Sequence, residues 1–106
     1  MIIHVTDQQG ENHALEGLEG WRVMEVIRDW GLDIKAECGG AMSCATCHVY
    51  VDKDWTEIVG APSDEEENML DSVGDVRSNS RLSCQILCSE ALDGLKVTLA
   101  ASASRA

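Results

Sequence analysis

Four cysteines are the residues of this chain whose type and spacing could do chemistry. Cys38, Cys44 and Cys47 stand close together at spacing C-x5-C-x2-C, and Cys84 follows far downstream. A fifth cysteine, Cys88, is left over. Four thiolate sulfurs can bind either a zinc ion or an iron–sulfur cluster. The spacing and the composition of the loop must therefore distinguish the two kinds of site.

The cysteine spacing favours an iron–sulfur cluster. Structural zinc sites usually have two short cysteine pairs, whereas here one short pair follows a five-residue gap and the last cysteine is solitary. The spacing is similar to the C-x4-C-x2-C pattern of plant-type 2Fe-2S sites, with one residue inserted. Gly39 and Gly40 would let backbone N–H groups approach the sulfurs of an anionic cluster. We therefore predict a 2Fe-2S cluster, with a zinc site or disulfides as the alternatives.

The length of 106 residues predicts one domain, residues 1–106, with a modest core. The chain contains no Phe, so aliphatic residues must supply most of the packing. Its longest apolar run is far too short for a membrane span, and its first residues lack the pattern of a signal peptide. We therefore expect a cytoplasmic protein, in a compartment where thiols stay reduced and can bind metal.

The net charge of −11 restricts the possible partners. Such an acidic protein repels nucleic acid and anionic membranes and is attracted to basic protein surfaces. Nine of the nineteen acidic residues lie within residues 52–75, where only Lys53 opposes them. The alternative is that the acidity only keeps the protein soluble.

The residues before the cysteine loop predict a hairpin and a helix. Residues 2–6 and about 11–18 have strand character, with a turn between them. Residues 21–30 follow the i, i+3, i+4, i+7 rule of an amphipathic helix, with Gly31 placed to end it but no good N-cap residue. His4 and His13 are interpreted as exposed strand residues and not as metal ligands.

The residues after the loop predict a strand at 49–51 and then an acidic helix. Ser63 is the expected N-cap, and Glu66 is expected to complete a capping box. Residues Asp64, Glu67, Asn68 and Asp71 would face outward, and Met69, Leu70 and Val73 inward. This helix is either a partner-docking face or simply a helix stabilised by its acidic first turn.

The last part of the chain predicts two more strands. Residues 81–88 read as a strand that carries Cys84, and residues 95–99 form the final strand. Cys88 is expected to be a buried or partly buried free thiol without a catalytic role. Residues 100–106 are small and polar, so we expect a disordered tail.

The chain resembles the vertebrate-type 2Fe-2S ferredoxins, the adrenodoxin and putidaredoxin class. The resemblance rests on C-x5-C-x2-C-H, which ends at His48, and on the run of residues 81–86, and it extends from about residue 2 to 99. It implies an α+β fold of the β-grasp type, with a mixed sheet, one main helix and an acidic helix. It further implies that Cys38 and Cys44 hold one iron, while Cys47 and Cys84 hold the other.

The resemblance also implies a role for His48 and a docking surface. His48 would not bind iron but would support the cluster loop, by a hydrogen bond to the segment that carries the acidic helix; an ordinary histidine at a strand start is the alternative. The implied docking residues are Glu37, Asp64, Glu65, Glu67 and Asp71. Asn68 stands where an acidic residue is common in the adrenodoxin branch.

The function implied by the resemblance is that of a monomeric one-electron carrier and not an enzyme. It would take electrons from an FAD-containing, NAD(P)H-dependent ferredoxin reductase and pass them to a cytochrome P-450-type monooxygenase. Related ferredoxins donate electrons to iron–sulfur cluster assembly, which is the first alternative. The second alternative is a non-redox interaction module stapled by zinc.

Overall fold

The computed structural model describes residues 1–32, 48–71 and 76–100. The strands are β1 (Ile2–Thr6), β2 (Asn12–Glu16), β3 (His48–Val51), β4 (Ser80–Leu82) and β5 (Lys96–Leu99). The α-helices are α1 (Val23–Asp29), α2 (Thr56–Val59) and α3 (Asp64–Leu70). Two short 3-10 helices follow β4, at Ser83–Gln85 and Glu90–Leu92.

The five strands form one mixed sheet in the order β2-β1-β5-β3-β4. The first hairpin, β1 with β2, is antiparallel, and β1 also pairs with β5 in parallel. Strand β3 is antiparallel to both of its neighbours, β5 and β4. A mixed sheet with one main helix confirms the predicted β-grasp fold.

The core lies on one face of the sheet, where the strand residues alternate. Ile3 and Val5 of β1 and Val97 and Leu99 of β5 are buried, whereas the residues between them are partly or fully exposed. Helix α1 adds four buried apolar residues to the same cluster: Val23, Met24, Val26 and Ile27. Period-two strands and a helix with one apolar face together build this core.

Helix α1 confirms the prediction for residues 21–30 within two residues at each end. Gly31 follows the C-cap Trp30 and has φ of +79°, the left-handed conformation for which glycine has no steric penalty. At the other end, the Arg22 backbone N–H donates to Glu25 Oε1 over 3.1 Å. The Glu25 side chain thus pairs with a backbone N–H at the start of α1, where the sequence shows no good N-cap residue.

Two predictions for the later part of the chain were wrong. The strand predicted over residues 81–88 ends at Leu82, because the chain turns there into a 3-10 helix that carries Cys84. Ala100, predicted to begin a disordered tail, is buried and donates its N–H to the His48 carbonyl over 3.2 Å. Residues 101–106, and Val73 of the acidic segment, lie outside the described residues.

Among the described residues, no helix has the length and apolar character to cross a membrane.

Candidate cluster site and docking face

Cys84 is the candidate ligand whose surroundings the structure describes. Its side chain is buried in the 3-10 helix that follows β4. The side-chain amide of Gln85 donates to Cys84 Sγ over 3.4 Å. An N–H donor pointing at this sulfur suits a thiolate that carries negative charge. The other candidate residues of the loop lie outside the described residues: Glu37, Cys38, Gly39, Gly40, Cys44 and Cys47.

The pairing of β3 with β4 relates Cys84 to the cysteine loop. Strand β3 begins at His48, the residue that follows Cys47 in the sequence. His48 is paired with Leu82, which stands two residues before Cys84. Because the two strands are antiparallel, the start of β3 and the end of β4 lie at the same end of the sheet. A buried sulfur at this end fits a cysteine-bound cluster.

Cys88 is a second buried cysteine, and the prediction that its thiol would be buried is confirmed. Its side chain is 2% exposed and lies in the apolar core. Burial raises the pKa of the Cys88 thiol, so the neutral form is favoured at neutral pH. The Cβ of an alanine at Gly17 would lie 3.5 Å from Cys88 Sγ, so the backbone approaches this thiol closely. A neutral buried thiol is suited to packing and not to reaction.

His48 is fully buried, and its ring contacts β4. Its Nε2 lies 2.7 Å from Ser80 Oγ. The same hydroxyl oxygen accepts the backbone N–H of Arg77 over 2.7 Å. His48 therefore joins the start of β3 to the chain that follows the acidic helix. The described bond ends on β4, and residues 72–75 lie outside the described residues, so the role predicted for His48 stays a prediction.

A cation–π contact supports the same link. Tyr50 lies two residues after His48, and the two rings meet edge to face with centroids 4.9 Å apart. The guanidinium of Arg77 lies 4.4 Å from the centroid of the Tyr50 ring. Arg77 thus contacts both strands, through its backbone on Ser80 and its side chain on Tyr50.

Helix α3 presents an acidic surface. Ser63 is the N-cap, and its Oγ accepts the Glu66 backbone N–H over 3.2 Å, as predicted. Leu70 is buried and Met69 is half-buried against the core. The outward residues are exposed, and we name the four carboxylates among them the acidic face: Asp64, Glu65, Glu67 and Asp71.

The predicted role of Glu66 was wrong. Its side chain is 1% exposed and lies inside the protein, whereas a capping box would require it to bind the Ser63 backbone. It binds Arg81 instead, with Nε–Oε2 and Nη2–Oε1 distances of 2.6 and 3.1 Å. Oε2 also accepts the Leu82 backbone N–H over 2.9 Å. A buried guanidinium is a stronger partner for this carboxylate than one backbone amide.

The Glu66–Arg81 pair connects three segments of the described chain. Arg81 also donates from Nη1 to the Gly60 carbonyl over 2.8 Å. Helix α3, the loop before it and β4 are therefore held together immediately upstream of Cys84. Sequence reasoning missed this pair, because Glu66 stands among exposed acidic residues and nothing local marks it as buried. The one available signal was Arg81, the only charged residue in the strand predicted over residues 81–88.

Another group of side chains that could bind a metal lies in the first hairpin. Ligand atoms of Asp7, Glu11 and His13 lie within 4.8 Å of one another. Asp7 already accepts the backbone N–H groups of Gln9 and Glu11 and contacts His13 Nε2 at 2.8 Å. These contacts lower the pKa of Asp7, mainly through His13. The group is accounted for as a turn stabilised by an aspartate.

Comparison with known proteins identifies the family. Residues 6–89 match the model of the 2Fe-2S iron-sulfur cluster binding domain. Rhodocoxin of Rhodococcus erythropolis is 47% identical over 92 residues, which cover 85% of this chain and 86% of rhodocoxin. The crystal structure of a reduced single-residue variant of putidaredoxin from Pseudomonas putida is similar, with a TM-score of 0.91 and 37% identity over 95% of this chain and 97% of that one. A chain of the covalent putidaredoxin reductase–putidaredoxin complex has a TM-score of 0.90 and 39% identity, over 93% and 97% of the two chains.

The chain belongs to the 2Fe-2S ferredoxins, and among them to the adrenodoxin and putidaredoxin type. Its cofactor is a 2Fe-2S cluster, in agreement with the prediction from cysteine spacing. Ferredoxins of this family carry electrons and are not enzymes, so this protein functions in electron transfer.

Proposed function

We propose that Cys38, Cys44, Cys47 and Cys84 bind the cluster, the first two on one iron and the last two on the other. The observation that carries the proposal is the pairing of His48 with Leu82, so that the first residue of β3 lies beside the last residue of β4. Cys84 is buried there and accepts a hydrogen bond from Gln85. When bound, the cluster takes up and releases one electron at a time. In this proposal Gly39 and Gly40 would let backbone N–H groups approach the cluster sulfurs, and His48, through its contact with Ser80, would hold the start of β3.

The electron donor that we propose is an FAD-containing, NAD(P)H-dependent ferredoxin reductase. Support comes from the similarity to the chain solved in covalent complex with putidaredoxin reductase. The acceptor that we propose is a cytochrome P-450-type monooxygenase. Support for this client comes from the run Cys-Ala-Thr-Cys-His-Val-Tyr-Val at residues 44–51, which resembles the putidaredoxin branch.

The acidic face of α3, together with Glu37, is the docking surface in this proposal. Its four carboxylates are exposed on one short helix, whereas Glu66 is used internally. A carrier must release its partner after each electron, so a small, wet and electrostatically steered contact suits it.

We place the protein in the cytoplasm as a monomer, since its thiolates must stay reduced and its net charge of −11 opposes self-association.

Reconstitution of the electron path tests the proposal. Holoprotein is mixed with NADH, a ferredoxin reductase of the putidaredoxin reductase type and a cytochrome P-450 of a putidaredoxin-dependent system. We expect the cluster to be bleached by the reductase and reoxidised by the haem protein, with the omission of ferredoxin as control. A cluster that stays oxidised with every such reductase would contradict the proposed donor.

A further inference from the structure

A small groove of mixed polar and apolar lining lies between α2 and the chain that follows Cys84. Its volume is 260 Å³, and its rim includes Ile58 of α2 and Leu87. These two side chains are 53% and 58% exposed. Aliphatic side chains that are exposed together around one groove can form an apolar patch, and such patches mark interaction sites.

The exposure of Leu87 is fixed by the fold. The residues on either side of it are held by backbone hydrogen bonds: Val23 N–H to the Ile86 carbonyl at 2.8 Å, and Cys88 N–H to the Trp21 carbonyl at 2.7 Å. Ile86 and Cys88 are buried, so alternation along this stretch turns Leu87 outward. The fold therefore holds an apolar side chain in a position that faces water.

Gln85 connects the groove to the candidate ligand. It lines the groove and also donates its side-chain amide to Cys84 Sγ over 3.4 Å. The Gln85 side chain would therefore contact both this sulfur and a molecule seated in the groove. Electron transfer depends steeply on distance, so this position favours a redox partner as the occupant.

The charges around the groove indicate what kind of surface fits it. Glu57 precedes Ile58 in the sequence, and Glu90 stands between two residues that line the groove, Ser89 and Ala91. Both glutamates are exposed. A second copy of this chain, with a net charge of −11, would be repelled, and an anionic membrane would be repelled likewise. A basic protein surface with a protruding apolar side chain complements the exposed glutamates in charge and can pack against Ile58 and Leu87.

We propose that this groove is a second docking site for a basic haem-protein acceptor, beside Cys84 and separate from the acidic face of α3. The inference rests on the proposed function, in that Cys84 must bind the cluster. In the complex one electron leaves the reduced cluster and reduces one ferric haem iron to ferrous, with no bond made and no proton transferred.

The test uses holoprotein with cytochrome c, a basic haem protein, as the probe. Leu87→Ser and Ile58→Ser each remove the aliphatic side chain from one side of the groove. Leu18→Ser is the matched control, because Leu18 is 59% exposed and does not line the groove. Affinity of the oxidised protein is measured by NMR titration, and electron transfer from the reduced protein by stopped flow. We expect each groove variant to bind about tenfold more weakly, which corresponds to ~1.4 kcal/mol, and to transfer electrons more slowly. The Leu18 variant should match the wild type.

The outcomes separate this inference from the proposed function. If the groove variants and Leu18→Ser bind and react equally, while Asp64→Lys with Asp71→Lys weakens binding, the groove is not a docking site and the proposed function stands. If the wild type forms a dimer in sedimentation that Leu87→Ser abolishes, a second copy is the occupant and the proposal is overturned. If a ferredoxin reductase fails to reduce the wild type, the proposed donor is wrong whatever the groove variants do.

Discussion

His48 Nε2 lies 2.7 Å from Ser80 Oγ, and both side chains are buried. The two residues belong to neighbouring strands, and His48 directly follows Cys47 in the sequence. Ser80 in turn accepts the Arg77 N–H from the segment that follows α3. A single hydroxyl thus ties the exit of the cysteine loop to the chain that leads away from the acidic helix.

Ser80→Ala should destabilise the holoprotein. It leaves the buried His48 ring and the Arg77 N–H without this partner, at a cost of about 1–3 kcal/mol. For a domain of this size that corresponds to a fall of several degrees in the midpoint of thermal cluster loss. The measurement is visible absorption during heating. Ser78→Ala, at an exposed serine two residues earlier, is the control and should leave the midpoint unchanged.

Glu66→Gln should destabilise the protein strongly, although Glu66 stands in an acidic helix. It leaves the buried Arg81 guanidinium without a countercharge, which costs about 3–5 kcal/mol when one partner of a buried pair is removed. Thermal cluster loss measures the effect. Glu65→Gln and Glu67→Gln change the same charge at exposed neighbours and should have little effect on stability. Equal stability of all three variants would contradict the assigned role of Glu66.

Charge reversal on the acidic face should slow reduction by the reductase without destabilising the cluster. Asp64→Lys, Glu67→Lys and Asp71→Lys each replace attraction to a basic partner with repulsion. Exposed charges are screened over ~8 Å at physiological ionic strength. Added salt should therefore slow the reduction of the wild type and reduce the difference in rate between the wild type and the variants. Stopped-flow rates as a function of salt concentration are the measurement. A wild-type rate that does not change with salt would refute electrostatic docking.

Gln85→Leu should lower the reduction potential. The substitution keeps a side chain of similar size but removes the amide that donates to Cys84 Sγ. Such donors stabilise the reduced cluster, which carries one more negative charge, and therefore raise its potential. Potentiometric titration of the holoprotein measures the shift. Gln8→Leu, at a residue of the first turn, is the control, and an unchanged potential for Gln85→Leu would show that the amide does not act on the cluster.

Most of the regular secondary structure was predicted well from the sequence, because hydrophobic periodicity indicates where helices and strands lie. Strands β1 and β5 bury alternate apolar residues, and helix α1 buries apolar residues at helical spacing. The prediction of a strand over residues 81–88 was wrong beyond Leu82. It was made because Leu82, Cys84, Ile86 and Cys88 stand at every second position, as the buried residues of a strand do, and all four are indeed buried. A 3-10 turn inside that pattern leaves no local signal.

The kind of cofactor was predictable from the cysteine spacing, whereas the contacts of the described residues near Cys84 were not. Cysteine spacing reflects the geometry of the cofactor, and this geometry requires no knowledge of the rest of the fold. The bond of Glu66 to Arg81 depends on tertiary structure, and so does that of His48 to Ser80. The choice between a monooxygenase and cluster assembly as the client depends on the surface of a partner, which this sequence does not encode.

Cluster content after anaerobic reconstitution tests the central claim most directly. Cys84→Ala and Cys88→Ala remove two buried thiols four residues apart, and only the first is assigned to the cluster. We measure iron, inorganic sulfide and visible absorption. The wild type and Cys88→Ala should each hold two irons and two sulfides per chain, and Cys84→Ala should hold no stable 2Fe-2S cluster. A complete cluster in Cys84→Ala, or none in the wild type, would contradict the account.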